Sequence, residues 1–369
     1  MHDSLGAPAA QALSAALARP VALARPRLLK DATRAIVVRY DALGDGLPWP
    51  SVIVKSIRDD PATGFTEWAA LALLADLPGA AGVAPAFLAG AAGRRVFVIE
   101  DLGPGPTLDQ ALRGAEPAAA LVALARTMAR LHAATPGAEP RFDRLRRALP
   151  AAPGPHRSAE AAAWLAARER VLAWPAALGL APPAGLDTCL ASVAARYAEP
   201  GPWLAFTHGD PAPSNAHFAG PGARLLDFEF GAFRHALYDL AAWNILCPLP
   251  PPAVALMRRV FREALAEALP VAGDDDMFAE GWAALCAYRA LAMLTWISPA
   301  VIEADRPFVA PWTARQAVLA ATARLAAAAA PVAVLDPVAA LAAALEAALA
   351  ARWPELGPPG ELTPFPLEL

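Results

Sequence analysis

Lysine is nearly missing from this 369-residue chain: of its 31 basic residues, only Lys30 and Lys55 are lysine. A position that merely needs positive charge is filled by arginine here, so each lysine calls for its own explanation. Cysteine is scarce as well. Cys189, Cys247 and Cys286 are widely spaced and odd in number, which argues for a reducing compartment and against a disulfide frame or a zinc site. No basic block occurs and the net charge is −4, so nothing supports nucleic-acid binding. The N-terminus has no basic stretch ahead of its apolar residues, and no signal peptide is expected. Apolar residues make up 57% of the chain, but much of this is alanine. Asp336 and Glu346 interrupt the long apolar runs, so no uncharged stretch approaches the roughly 20 residues of a spanning helix. These absences describe a soluble, cytoplasmic protein with no membrane insertion, and its length suits two lobes.

The most informative segments are WLAFTHGDPAPSN and ARLLDFEFG. Together they place Asp210, Asn215 and Asp227 on two short loops, each entered from an apolar, strand-like run. Transfer of a phosphoryl group from a metal–nucleotide complex needs such a set. One carboxylate orients the attacking hydroxyl, and oxygen ligands from a second loop hold Mg²⁺. Asp210 is the candidate base, and Asn215 and Asp227 are the candidate metal ligands. His208 reads as the brace of the first loop and is grouped with Asp210 as a catalytic candidate. Glu229 is either a further metal ligand or a salt-bridging residue. Lys55 ends the strand SVIVK and could cross a cleft to phosphates if a carboxylate fixed its ammonium. Glu67, on the next helix, is its natural partner. Taken alone, the two would read as solvated residues.

Periodicity predicts helices at 9–19, 66–77 and 118–132, then at 158–173, 186–197, 237–245, 253–269, 277–297, 314–329 and 337–352. Strands are predicted at 35–40, 51–57 and 95–99. The stretch 136–155 is rich in proline and arginine and shows no period. The Gly/Pro cluster after Glu100 is the clearest boundary, with a small β-rich region before it and helix after it. His132, His217 and His235 lack metal-ligand spacing and are expected to satisfy local hydrogen bonds. Asp274 to Asp276 read as the acidic start of a helix, favoured by its dipole. Trp282, Tyr288 and Trp296 read as core, or alternatively as the lining of an acceptor pocket.

Lys55, Glu67, the VFVIEDLG segment, the helix ending ARLHA, HGDPAPSN and LLDFEFG together resemble the aminoglycoside phosphotransferase and choline kinase group of small-molecule kinases. The match runs from about Leu28 to Ile297 in the right order. The resemblance implies an α+β, two-lobed, protein-kinase-like fold: an N-terminal helical extension over 1–27, a nucleotide-binding lobe over 28–103 and a helical lobe over 104–369. It implies ATP and Mg²⁺ as cofactors, with GTP left open as donor, and a small-molecule hydroxyl (amino alcohol, sugar or aminoglycoside-like) as acceptor. Glu100, Asp101 and Leu102 would offer backbone groups to adenine, and Lys55, held by Glu67, would meet the phosphates. One departure is plain. The loop expected to cover the nucleotide, 28–34, contains no glycine, which normally lets backbone N–H groups approach phosphate; Lys30, Thr33 and Arg34 are the residues available to substitute. That departure keeps a second reading open, a nucleotide-binding pseudokinase with a regulatory or scaffolding role.

Overall fold

The computed structural model describes residues 2–220 and 222–356. The chain forms two compact units. The first comprises 1–108, 134–154 and 208–232; the second comprises 109–133, 155–207 and 233–369. The chain therefore returns twice to the β-rich unit after Gly103, once with a helix and once with both motif loops.

The first unit is built on an antiparallel sheet of β1 (Ala22–Asp31), β2 (Ala35–Leu43), β3 (Ser51–Ile57), β4 (Phe87–Ala91) and β5 (Val96–Glu100), in the order β1-β2-β3-β5-β4. Alternation along a strand sends successive side chains to opposite faces. Ile36, Val38, Tyr40, Val52, Val54, Val96 and Val98 form one face, where they bury with Ala9 and Leu13 of helix α1 (Gly6–Leu17). Val37, Lys55 and Phe97, cross-strand partners in register, lie on the other. A one-residue slip would bury Lys55 in the apolar face, so register fixes this lysine's side.

Helix α2 (Pro61–Ala75) starts earlier than its apolar period suggests. Asp60 caps it by accepting from the Thr63 amide at 3.3 Å, and Pro61 occupies the first turn. Gly64 is required there, since a Cβ would lie 2.5 Å from the Ile57 side chain; its absence lets α2 close on β3. The unperiodic stretch after Pro136 contains a helix, Glu139–Arg147, which packs on α2. Its Arg146 is buried and donates to Thr66 Oγ1 and to the carbonyls of Ala62, Ala151 and Ala152 at 2.7–3.3 Å.

The second unit is helical. Its longest helix, Asp275–Trp296, is capped by Asp274, which accepts from the Met277 amide at 2.9 Å. Tyr288 stacks between Trp164 and Tyr197 and is core; Trp282 is buried but also lines a cavity with Arg258, Arg262 and Phe278, and Trp296 is 54% exposed. The helix predicted over 158–173 is two, Arg157–Ala166 and Arg168–Ala177. The run Ala333–Arg352, expected to be too interrupted to span a bilayer, is one helix long and apolar enough to do so by length and composition. Val338, Leu341, Leu345 and Leu349 on one side of it are buried, and it packs on the helices Ala314–Ala329 and Leu186–Ala198.

Candidate active site

All the candidate site residues lie in the first unit. Lys55 Nζ sits 2.6 Å from both carboxylate oxygens of Glu67 and 3.3 Å from Oδ1 of Asp227. The three groups come from β3, α2 and the second motif loop. Burial alone would lower the lysine's pKa, but Glu67 and Asp227 outweigh it and hold the ammonium charged, above its ordinary value. Asp227 is partly buried too, yet Lys55 and Lys30 keep its carboxyl below the usual carboxylate range. The site therefore presents a fixed ammonium beside an ionised carboxylate.

The two motif loops are tied to each other and to the sheet unit. Leu226 donates to the Asn215 carbonyl at 2.8 Å, short strands at Ala216–His217 and Arg224–Leu225 pair, and Leu225 donates to the Val83 carbonyl. His208 is fully buried. Its Nε2 donates to the Leu226 carbonyl at 2.7 Å, its Nδ1 accepts from the Asp210 amide at 3.3 Å, and its ring packs on Phe228. These partners place the histidine as a brace spanning both loops. Asp210 itself is exposed. The Asn215 amide nitrogen donates to the Asp210 carbonyl at 3.0 Å, which turns its oxygen the other way. Asp227 adopts a left-handed backbone, φ 65°, uncommon for a residue with a side chain. Glu229 pairs with Arg34 at 2.9 Å, and burial, then Asp227, push its carboxyl up to about 7.

Two neighbouring cavities open on this set. One, of about 280 Å³, is lined by Lys30, Arg34, Lys55, Glu67, Asp227 and Glu229 among others. The second, of about 410 Å³, extends to the strand end, with Leu29, Val37, Ile53, Ile99, Leu102 and Leu226 as apolar lining beside Asn215 and Asp227. At that end Asp101 is fully engaged: its carboxylate accepts from Arg39 at 2.7 Å, Ser51 at 2.6 Å and the Gly103 amide at 3.0 Å. Glu100 accepts from the Ala86 amide through its side chain. Leu102 follows with its side chain on the cavity wall.

Residues 43–288 match the model of the APH family, described as the phosphotransferase enzyme family. The chain belongs to that family. It is a small-molecule kinase with an α+β, protein-kinase-like fold. Among solved structures, it is similar to the macrolide 2'-phosphotransferase MphH from Brachybacterium faecium, with 17% identity over 77% of this chain and 90% of that one, TM-score 0.47. It is also similar to a choline/ethanolamine kinase family protein from Mesorhizobium loti, with 17% identity over 88% and 93%, TM-score 0.43. Choline kinase LicA from Streptococcus pneumoniae gives 14% over 83% and 94%, TM-score 0.44. No curated protein sequence matches the chain.

Two residues of this phosphotransferase take positions that their sequence context did not assign. Lys30 reaches Asp227 at 3.8 Å, a pairing visible only once β1 is seen to be a strand. His217, expected to satisfy local hydrogen bonds, lines the larger cavity, and its buried Nε2 has no partner among the described residues. His132 pairs with Asp239 at 3.1 Å, and His235 accepts from the Leu237 amide at 3.2 Å.

Proposed function

We propose that this enzyme transfers the γ-phosphoryl group of ATP to a hydroxyl of a small molecule, with Mg²⁺ held by Asn215 and Asp227. The observation that carries the reading is the convergence of Lys55, Glu67 and Asp227 into one ion cluster, with Asp210 and Asn215 on a loop braced to it.

The donor set fits Mg²⁺. Asn215 and the ionised Asp227 contribute hard oxygens from two linked loops, and among the described residues no group of three or more His, Cys, Asp or Glu forms a richer cage. Mg²⁺ is commonly held by one or two carboxylates and completed by water and phosphate oxygens. When bound, the ion would neutralise charge on the phosphates. Lys55 would contact the same phosphates, its position set by Glu67. The apolar walls Val37, Ile53, Ile99 and Leu226 suit the faces of a purine, and the backbone of Glu100 to Leu102 would meet its edge. Asp210 would orient the acceptor hydroxyl. As its oxygen bonds to the γ-phosphorus, the bond to the bridging oxygen of ADP breaks, and the hydroxyl proton passes to Asp210. A loose transition state makes that proton transfer late, so an exposed carboxylate suffices. His208 would act by holding Asp210 and the second loop in register.

Two substitutions separate the roles. Asp210→Asn should reduce kcat by about a thousandfold or more while ATP affinity stays within a few-fold of wild type. Lys55→Met should weaken ATP binding and turnover together. An Asp210→Asn enzyme that keeps its full rate contradicts the assignment.

A further inference from the structure

The segment 28–34, expected to cover the nucleotide, has no glycine, and it folds as the end of β1 and the turn into β2. β1 and β2 form a hairpin closed at 32–35, where the Ala32 amide donates to the Ala35 carbonyl at 3.0 Å. Pairing shifts register between Leu28↔Val38 and Lys30↔Val37, so Leu29 is an extra residue on β1. After that bulge Lys30 is the cross-strand partner of Val37, whose other partner is Lys55. The chain's only two lysines thus stand in one row, one strand apart, or about 10 Å between backbones. Both ammonium groups approach Asp227, at 3.8 Å and 3.3 Å. Arg34, within the turn, reaches Glu229 at 2.9 Å and lies over the Phe230 ring.

The smaller cavity is consequently lined by three cations and three carboxylates: Lys30, Arg34 and Lys55 against Glu67, Asp227 and Glu229. Without the two hairpin cations the carboxylates of this wall would outnumber its one remaining cation, Lys55, and repel a polyphosphate. Side chains of this length also reach where the backbone of a residue with a Cβ cannot.

We propose that Lys30 and Arg34 form a side-chain clamp for the polyphosphate of a nucleoside triphosphate, replacing the backbone amides of a glycine-rich turn. The inference rests on the nucleotide reading of this cavity made above. Asp227 and Glu229 are the resting partners of the two cations. When Asp227 engages a metal ion, Lys30 requires another anion, and the polyphosphate is the one at hand.

Calorimetric titration of the full chain with adenosine, ADP and ATP in Mg²⁺ tests this. Lys30 and Arg34 are 58% and 49% exposed, so alanine at either position should leave the melting temperature near wild type. Each of Lys30→Ala and Arg34→Ala should weaken ATP about tenfold, and the double variant more, with adenosine affinity held within about twofold. Lys30→Arg should restore most of the loss. A double variant whose ATP affinity is unchanged, or whose ATP and adenosine affinities fall in parallel, overturns the clamp. Wild-type protein that binds neither adenosine nor ATP would overturn the nucleotide reading itself, and the clamp with it.

Discussion

Gly209 explains why the two acidic motifs need their spacing. Its φ is +87°, and a Cβ there would lie 2.1 Å from the Phe230 carbonyl oxygen. The backbone of the first motif loop therefore passes directly against that of the second. The residue before Asp210 must be glycine for Asp210 and Asp227 to occupy neighbouring loops. Gly209→Ala is expected to cost about 2 kcal/mol or more of stability, from the left-handed backbone and the clash together. Because the strain falls between the two loops, kcat should drop further than stability alone accounts for. Urea unfolding and steady-state kinetics on the same sample check both. An alanine variant with wild-type kcat would mean that the contact does not set the loops. Arginine and lysine also divide their work at this scale. Arg39 and Arg146 tie carbonyls and carboxylates into the scaffold with several fixed donors, whereas Lys55 carries a compact charge between two carboxylates.

Among the elements, α2 is the one on which the site depends most, since it carries Glu67 to Lys55. Its N-terminal turn is held by the cap at Asp60, by close approach at Gly64 and by Arg146 from the helix Glu139–Arg147. Arg146→Ala should lower stability by about 3 kcal/mol, because it strips several buried acceptors of their donor. Arg147→Ala, one residue on and 63% exposed with a 3.8 Å ion pair to Asp143, should change it by less than about 0.5 kcal/mol. Chemical denaturation of the two variants measures the contrast, and equal effects would remove Arg146 from its bracing role.

The elements also show which parts of the fold were legible in sequence. β2 announces itself because one face is buried and the alternation survives, and β3 and β5 because they are continuous apolar, β-branched runs buried on both faces. β1 does not, since it is exposed along nearly its whole length and held by pairing with β2; Arg25, Pro26 and Arg27 show no apolar period. That one omission hid the position of Lys30. The helix Glu139–Arg147 was illegible for a related reason: it buries only Phe142 and an arginine. The motif loops were readable because their chemistry needs particular side chains. What the reading could not supply was the set of cross-loop contacts, Gly209 to Phe230 and His208 to Leu226, which depend on approach in three dimensions.

For the whole molecule, the chain crosses between its units so that both motif loops belong to the sheet unit rather than to the helical one. The residues proposed for nucleotide, metal and base are thereby carried on a single compact body with one ionic cluster. The proposed activity of the whole molecule is transfer of a phosphoryl group from ATP to a small hydroxyl compound. Its most direct test uses ATP labelled on the γ-phosphate, the purified chain, Mg²⁺ and a panel of amino alcohols, sugars and aminoglycosides, with the label followed into product. Label should appear on an acceptor hydroxyl, and chelating the metal or the Asp210→Asn substitution should abolish it. Tight ATP binding with no label passed to any acceptor would contradict that activity.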